Sequence, residues 1–381
     1  MLKSLVATTC EIDDADAAVA EILQALDIER NLKKHSLGII SCFSEYEDTG
    51  VLKAICDALP FDCIGSTTCI NSANGKTDQI MLSLMVLTSD DCSFKTSFIS
   101  VSNEYEKSIT ENLSPLIKDG GNPSMILCYF PLMNNIGGDM LLSAIDNVTG
   151  GIPLYGTTAV DHTHDYSLAK TIYNGEAYRE AVVLCLVYGN VNFSFAVATL
   201  NEENVRKQKA IITEAEGNLL IGVNEKNAME YFEEIGLTQN DLATVSGILP
   251  IVVDHKDGTK PVVRTVFSFT PDGRAVCGGK MTVGATLSIG KVEVNDVLQT
   301  SVVTLSPYLQ NKGAVLSYSC LARYLILGAR STAEAEKIGE LAKDMHYMFA
   351  CSGGEVCPLP DANGKLVNYY HNFTNVFCIL N

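Results

Sequence analysis

The sequence predicts an α/β protein of mixed sheets flanked by helices, built on repeated β-α-β-Gly-β units and divided into two domains. Three observations predict it. One order of elements occurs twice, 91 residues apart, from Gly65 to Gly156 (156 − 65). A third run of the same order lies near the C-terminus. The chain has 381 residues, 47% of them hydrophobic, which suits two domains with a sizeable core.

Residues 37–43, LGIISCF, are short, apolar and β-branched, which reads as a buried strand. A helical stretch follows in TGVLKAICDAL. FDCIGSTTC is a second strand, ending in Gly65, Ser66, Thr67 and Thr68, and QIMLSLMVL is the next. The order recurs with SMILCYF as strand and GGDMLLSAIDNV as helix. IPLYGTTAV is then a strand ending in Gly156, Thr157 and Thr158, and EAVVLCLVYG is the strand after it. GGDM starts like a diguanylate cyclase motif, but it falls at a helix start and reads as coincidence. In the third run GAVLSYS is a strand and STAEAEKIGELAKDMHYMF a helix. Ser331 with Glu334 three residues on forms a capping-box pattern. Apolar positions from Ala335 to Met345 and Phe349 keep helical spacing. YMFACSGGE is a strand ending in Gly353-Gly354, and FTNVFCIL is the last strand.

The composition differs between the second and third runs. QKAIITEAEGNLLIGVNEKNAMEYFEEIGL reads as strand, turn, strand and short helix, stopped by Gly236. Residues 261–290 read as a hairpin meander turning at Pro271-Asp272-Gly273. The polar NEENVRKQK segment at 201–209 marks the boundary between domains 1–205 and 206–381.

A net charge of −18 without a Lys/Arg cluster predicts no nucleic-acid partner, since neutralising phosphates takes clustered cations. It also disfavours an anionic membrane surface. No apolar stretch reaches the length of a membrane span, and the apolar run in MLKSLVATTCEIDDAD is too short for a signal peptide. Thirteen cysteines, an odd number spread along the chain without C-x-x-C, predict a reducing cytoplasm rather than disulfides or zinc. DHTHD is the best metal candidate, with His162 and His164 flanked by Asp161 and Asp165. It reads instead as a solvated loop, so neither metal nor cofactor is expected.

Topology then locates a site. The strands before Cys320 and Gly353 are joined by a helix and should be parallel, with both C-terminal ends at one sheet edge. Open α/β sheets bind ligands at that edge. The last strand should run antiparallel beside them. His371, Asn372 and Thr374 then converge on Cys320, Arg323, Gly354 and Glu355. The Gly65-Ser66-Thr67 and Gly156-Thr157-Thr158 turns offer N–H groups and hydroxyls at their own edges.

These pieces resemble the FIST domain family. GSTTC, YGTTAVD and IYNGEAYREAVVLCLVYG are similar to its N-terminal half. VVRTVFSFTPDGRAV, LSYSCLARYLILG, Gly354-Glu355 and YYHNFTNVFCIL are similar to its C-terminal half. The resemblance implies a bacterial-type cytoplasmic signal-input module that binds a small molecule, with amino acids the usual proposal. It also implies a signalling output partner or a homo-oligomer. Carried over, the matching positions are Cys320, Arg323, Gly354, Glu355, His371, Asn372 and Thr374. The chain departs after GST, where Thr68, Cys69, Ile70 and Asn71 replace the family's frequent Gly-Glu. On this reading no output domain is expected within the 381 residues after the C-terminal half.

Arg323 and Glu355 fit the carboxylate and ammonium of an amino acid. The plain alternative is a structural ion pair between them. Cys320, His371 and Glu355 also have the composition of a thiol triad, hence of a thiol-dependent hydrolase or transferase. A third reading is a protein-interaction module. The favoured one is a non-catalytic sensor.

Overall fold

The computed structural model describes residues 2–133, 136–163, 165–237, 248–310 and 313–380. It is α/β, with mixed sheets flanked by helices. Unit one runs β1 (Lys3–Thr9), β2 (His35–Cys42), β3 (Cys63–Thr67), β4 (Asn71–Ala73), β5 (Lys76–Asp78) and β6 (Leu82–Ser89). Unit two repeats it as β7 (Ser93–Ser100), β8 (Met125–Phe130), β9 (Leu154–Thr158), β10 (Thr171–Tyr173), β11 (Glu176–Tyr178) and β12 (Ala181–Tyr188).

Unit three begins with β13 (Phe193–Ala198). It is interrupted by β14 (Ala210–Glu216), β15 (Leu219–Val223), β16 (Lys226–Asn227), β17 (Leu249–Asp254), β18 (Val262–Phe269), β19 (Ala275–Cys277) and β20 (Thr286–Ile289). It resumes with β21 (Ala314–Cys320), β22 (His346–Ser352), β23 (Glu355–Pro360), β24 (Leu366–His371) and β25 (Asn375–Leu380). The polar 201–209 segment lies between β13 and β14.

The three unit sheets share one order: β1-β6-β2-β3-β10-β11, β7-β12-β8-β9-β23-β24 and β13-β25-β21-β22-β4-β5. In each, the final hairpin is lent by another unit. Unit two lends β10–β11 to unit one, unit three lends β23–β24 to unit two, and unit one lends β4–β5 to unit three. The exchange is cyclic and gives the core a pseudo-threefold arrangement. Two hairpins turn on Asn-Gly with both residues at positive φ, Asn74-Gly75 (50° and 77°) and Asn174-Gly175 (49° and 83°). That backbone matches the twist of paired strands.

The strands β2, β6, β8, β12 and β21 are buried almost end to end because both faces are covered. Their inner faces meet in one apolar core that draws on all three units, including Ile39, Met85, Tyr129, Val183, Leu316 and Val376. The outer faces carry helix pairs. Helices Ala15–Leu26 and Val51–Asp57 cover the first sheet, Tyr105–Gly120 and Gly138–Thr149 the second, and Val294–Leu305 and Ala333–Leu341 the third. Local signals start some of these. Asp14 accepts from the Ala17 N–H at 2.9 Å at the head of the first helix.

The interruption in unit three is an antiparallel sheet that closes on itself, because β14 pairs with both β20 and β15. Its interior is a separate apolar core that also takes in Tyr369 of β24. The short helix Ala228–Glu234 has a full capping box from Asn227 and Glu230. Gly236 follows at φ 98° and Gly273 turns the meander at φ 84°, as expected.

Two expectations are corrected. The helix of the third run ends at Leu341, and Phe349 lies in β22. Its N-cap is Thr332, without a side-chain cap bond, so Ser331 and Glu334 form no capping box there. The unit register also differs. Gly65 pairs with Ile40 and Gly156 with Cys128, and the matching third-unit position is Phe349 opposite Ser317, not Gly353-Gly354. A Cβ at Gly65 would stand 1.9 Å from the Ile40 carbonyl oxygen, and one at Gly156 1.7 Å from that of Cys128. Those two strands therefore need glycine for close approach.

Candidate functional site

The C-terminal strand ends of the three units meet at the pseudo-threefold axis. Thr68 Oγ1 donates to the Cys351 carbonyl at 3.0 Å, linking unit one to unit three. The Val160 N–H donates to the Thr67 carbonyl at 3.3 Å, and the Gly353 N–H to the Thr158 carbonyl at 2.9 Å. The Gly-hydroxyl turns, expected at separate edges, thus come together. Ser66, Thr67, Thr157 and Thr158 are all buried. Thr67 Oγ1 accepts from the Lys170 N–H, and Thr158 Oγ1 bonds the Tyr370 hydroxyl at 3.0 Å.

The inner face of the first sheet carries a row of hydroxyls at this level. Thr8, Ser83, Ser41, Ser66 and Thr171 are successive register partners across five strands. The corresponding row of the second sheet ends in Tyr129, Thr157 and Glu355. Asn71 holds the corresponding place in the third. Alternation along the strands turns Ser41, Ser83, Asn71 and Glu355 inward with Ile39, Met85, Ala73 and Cys357 of the central core.

Glu355 is fully buried, and its register partner across the hairpin is His371. Its Oε2 accepts from Thr374 Oγ1 at 2.7 Å and from the Thr374 N–H at 3.4 Å, while Oε1 has no partner. Burial lifts the carboxyl to about 8, against the opposing effect of the Thr374 hydrogen bonds. It is therefore mostly protonated at neutral pH. The Cys320 N–H donates to the Thr374 carbonyl at 2.8 Å. Burial, with Glu355 adding to it, pushes the Cys320 thiol well up.

His371 Nε2 lies 2.9 Å from the Cys357 carbonyl, which sets the Nε2–H tautomer as donor. Burial brings its imidazole down to about 4, and the Arg264 charge adds to the effect. No hydrogen bond joins Cys320 to His371 among the described residues. The triad composition thus has a protonated thiol and an imidazole already committed to a carbonyl.

Arg323 stands apart from Glu355. It is buried, and its Nη2 donates to Glu334 Oε1 at 2.6 Å, Ser301 Oγ at 2.9 Å and the Val297 carbonyl at 2.6 Å. Glu334 also accepts from Ser319 Oγ at 2.6 Å. Ser319 alternates with the inward Tyr318, so this network lies under the helices on the outer face of the third sheet. Cys320, Gly354, Glu355, His371, Asn372 and Thr374 do converge, with the Gly354 carbonyl accepting from the Thr158 N–H at 2.8 Å.

The sequence reading missed the seam with the closed sheet. Val263 of β18 packs with Cys320 and Phe373. The next residue, Arg264, is 4% exposed and donates Nη1 to the Tyr370 carbonyl at 2.8 Å, while its Nε has no partner. Thr265 Oγ1 and both amide atoms of Asn372 are also buried without partners among the described residues. A Cβ on Gly278 would stand 2.6 Å from Asn372 Oδ1, and one on Gly279 2.7 Å from Arg264 Nε. Two adjacent glycines therefore make room for both side chains. Within a strand of a meander, Arg264 carried no sequence signal of its own.

The DHTHD segment, expected as a solvated loop, is not solvated at its first residue. Asp161 is buried and caps the Thr163 and Leu168 N–H groups, and His162 stacks on Phe43 at 4.3 Å. His164 lies outside the described residues. Among the described residues no cluster of three His, Cys, Asp or Glu side chains could hold a metal. All thirteen cysteines are free. No described helix is long and apolar enough to cross a membrane.

The FIST N domain matches residues 36–226, and the FIST C domain matches residues 227–358. The chain belongs to the FIST family. FIST domains are associated with sensory and signal-transduction roles. The two matches meet at residues 226 and 227, within β16 of the closed sheet. No curated protein matches the chain.

Proposed function

We propose that this FIST protein is a non-catalytic cytoplasmic sensor that binds a small polar metabolite, an amino acid by preference, where the unit ends meet the closed sheet. One observation carries the reading. Among the described residues, eight of the nine buried side-chain polar atoms without a hydrogen-bond partner lie either at the axis or at the seam. Ser41, Ser83, Asn71 and Glu355 supply four at the axis, and Arg264, Thr265 and Asn372 supply four at the seam. Buried polar groups are ordinarily satisfied, and each orphan costs on the order of 1–3 kcal/mol. Orphans gathered at these two neighbouring levels of the fold suit a group that arrives from outside.

The binding residues in this reading are Glu355, Asn372, Thr374, His371, Cys320 and Gly354, with Ser66 and Thr157 of the turns at the axis. Glu355 suits an ammonium. Neutral while alone, it gains a reason to ionise when a cation arrives beside it. Arg323 is given no ligand role in this reading, because its Nε and Nη2 are engaged by Glu334, Ser301 and the Val297 carbonyl. The free cysteines agree with a reducing compartment. Output passes to a partner or a second copy through differential affinity for two packings of the units.

The test is a thermal-shift panel of the twenty L-amino acids on the full chain at millimolar concentration. A ligand that binds only the folded state raises the midpoint. The expected result is a rise for a subset of the panel, absent in E355Q. A flat panel removes the amino-acid reading.

A further inference from the structure

Arg264 is a buried guanidinium that makes no ion pair among the described residues. It lies on β18 opposite Ile251, on the face that also carries Val262 and Val266 toward the closed sheet's core. Asp139, at the head of the helix Gly138–Thr149, contributes charge to its surroundings but accepts from the Lys280 N–H. Nη1 is used by the Tyr370 and Val263 carbonyls. On the opposite edge, Nε is buried without a partner, and no hydrogen bond from Nη2 is made among the described residues. That edge is the one arginine presents to two oxygens of a carboxylate.

A buried charge without a counter-ion is strongly unfavourable. An apolar residue would fill the same place without that cost. The position next to it strengthens the point. Asn372, two residues beyond the carbonyl that Arg264 holds, is fully buried with its whole amide unpartnered. The Gly278-Gly279 pair keeps side chains off both groups.

We propose that Arg264 is the seat of a ligand carboxylate, its free Nε–Nη2 edge forming the fork and the Asn372 amide adding a donor beside it. One buried positive charge matches a monoanion, which favours a carboxylate over a phosphate. The sensory reading is needed only for the rest of the ligand, and the seat is testable without it.

The experiment uses the full chain in two arms. In the first, thermal midpoints are followed in sodium acetate against sodium chloride at equal ionic strength. Acetate should raise the midpoint of the wild type and not that of R264Q. Without acetate, R264Q should melt at or above the wild type, since an unpaired buried charge is gone. If R264Q fails to fold, G279A takes its place. It keeps the arginine, sets a methyl against the guanidinium, and should lose most of the acetate response.

In the second arm, an amino acid that binds is compared with its primary amide, and the amide should bind about tenfold or more weakly. Equal acetate responses in wild type and variant overturn the seat, as does an amide that binds as well as its acid. Amino-acid binding unaffected by R264Q removes the seat and leaves the sensory reading standing. An acetate response with no amino-acid response keeps the seat and removes the amino acid.

Discussion

Arg323 and Glu334 meet at 2.6 Å beneath the outer face of the third sheet, while Glu355 stands on the inner side with no arginine bonded to it. The basic and acidic residues that the sequence paired as a ligand clamp are divided by the sheet itself. Glu334 gathers Arg323, Ser301 and Ser319, so the network fastens three helices to β21. Breaking it by E334A should destabilise the fold by about 3–5 kcal/mol, because a buried guanidinium is left alone. Urea unfolding measures this. A variant as stable as the wild type would show that the pair carries no structural load.

Glu355 sets a pH dependence of stability. Its folded value near 8 lies above its ordinary 4.5, so the protonated form is favoured in the fold. That contribution is complete below about 4.5 and is lost as pH rises through 8. Relative to E355Q, the wild type should lose on the order of 3 kcal/mol between mildly acidic and alkaline pH. Denaturation curves of both proteins across that window decide it. Parallel curves would mean that Glu355 ionises freely in the fold.

His371 acts in the opposite direction. Its folded value of about 4 lies below the ordinary 6.5, so the neutral ring is favoured. The stability it brings is present above 6.5 and is lost as pH falls through 4. H371Q keeps a donor for the Cys357 carbonyl and should flatten the acid limb. An unchanged acid limb in H371Q would place the acid sensitivity elsewhere.

Thiol chemistry gives the cleanest contrast with an enzyme. Cys10 is exposed, and the other twelve cysteines are buried. Iodoacetamide on the native protein near neutral pH should modify Cys10 first and leave Cys320 unmodified. Fast labelling of Cys320 would mean a reachable thiolate and would revive the hydrolase or transferase reading.

Much of this architecture was legible in the sequence. The three β-α-β runs, the parallel pairing of β21 with β22 and the antiparallel return of β25 follow from periodicity and connection length. That placed Glu355, His371, Asn372 and Thr374 beside Cys320. The exchange of hairpins was not legible. Asn74-Gly75 and Asn174-Gly175 announce hairpins locally, but nothing in β4 names β22 as its neighbour. Glu334 misled because its spacing from Ser331 matches a capping box, while its real partner lies on another helix. Arg264 left no trace, since a charged residue inside a meander strand reads as an exposed edge until the partner surface is known.

Asn372 offers the most direct measurement of the central claim. Its amide is buried and idle in the protein alone, so N372L removes an unsatisfied group and should not lower stability. Isothermal titration of wild type and N372L with the L-amino acid that stabilises the wild type most should give saturable binding to the wild type. In N372L that affinity should fall by about tenfold or more. Equal affinity in a folded N372L would contradict the claim that the ligand binds where the unit ends meet the closed sheet.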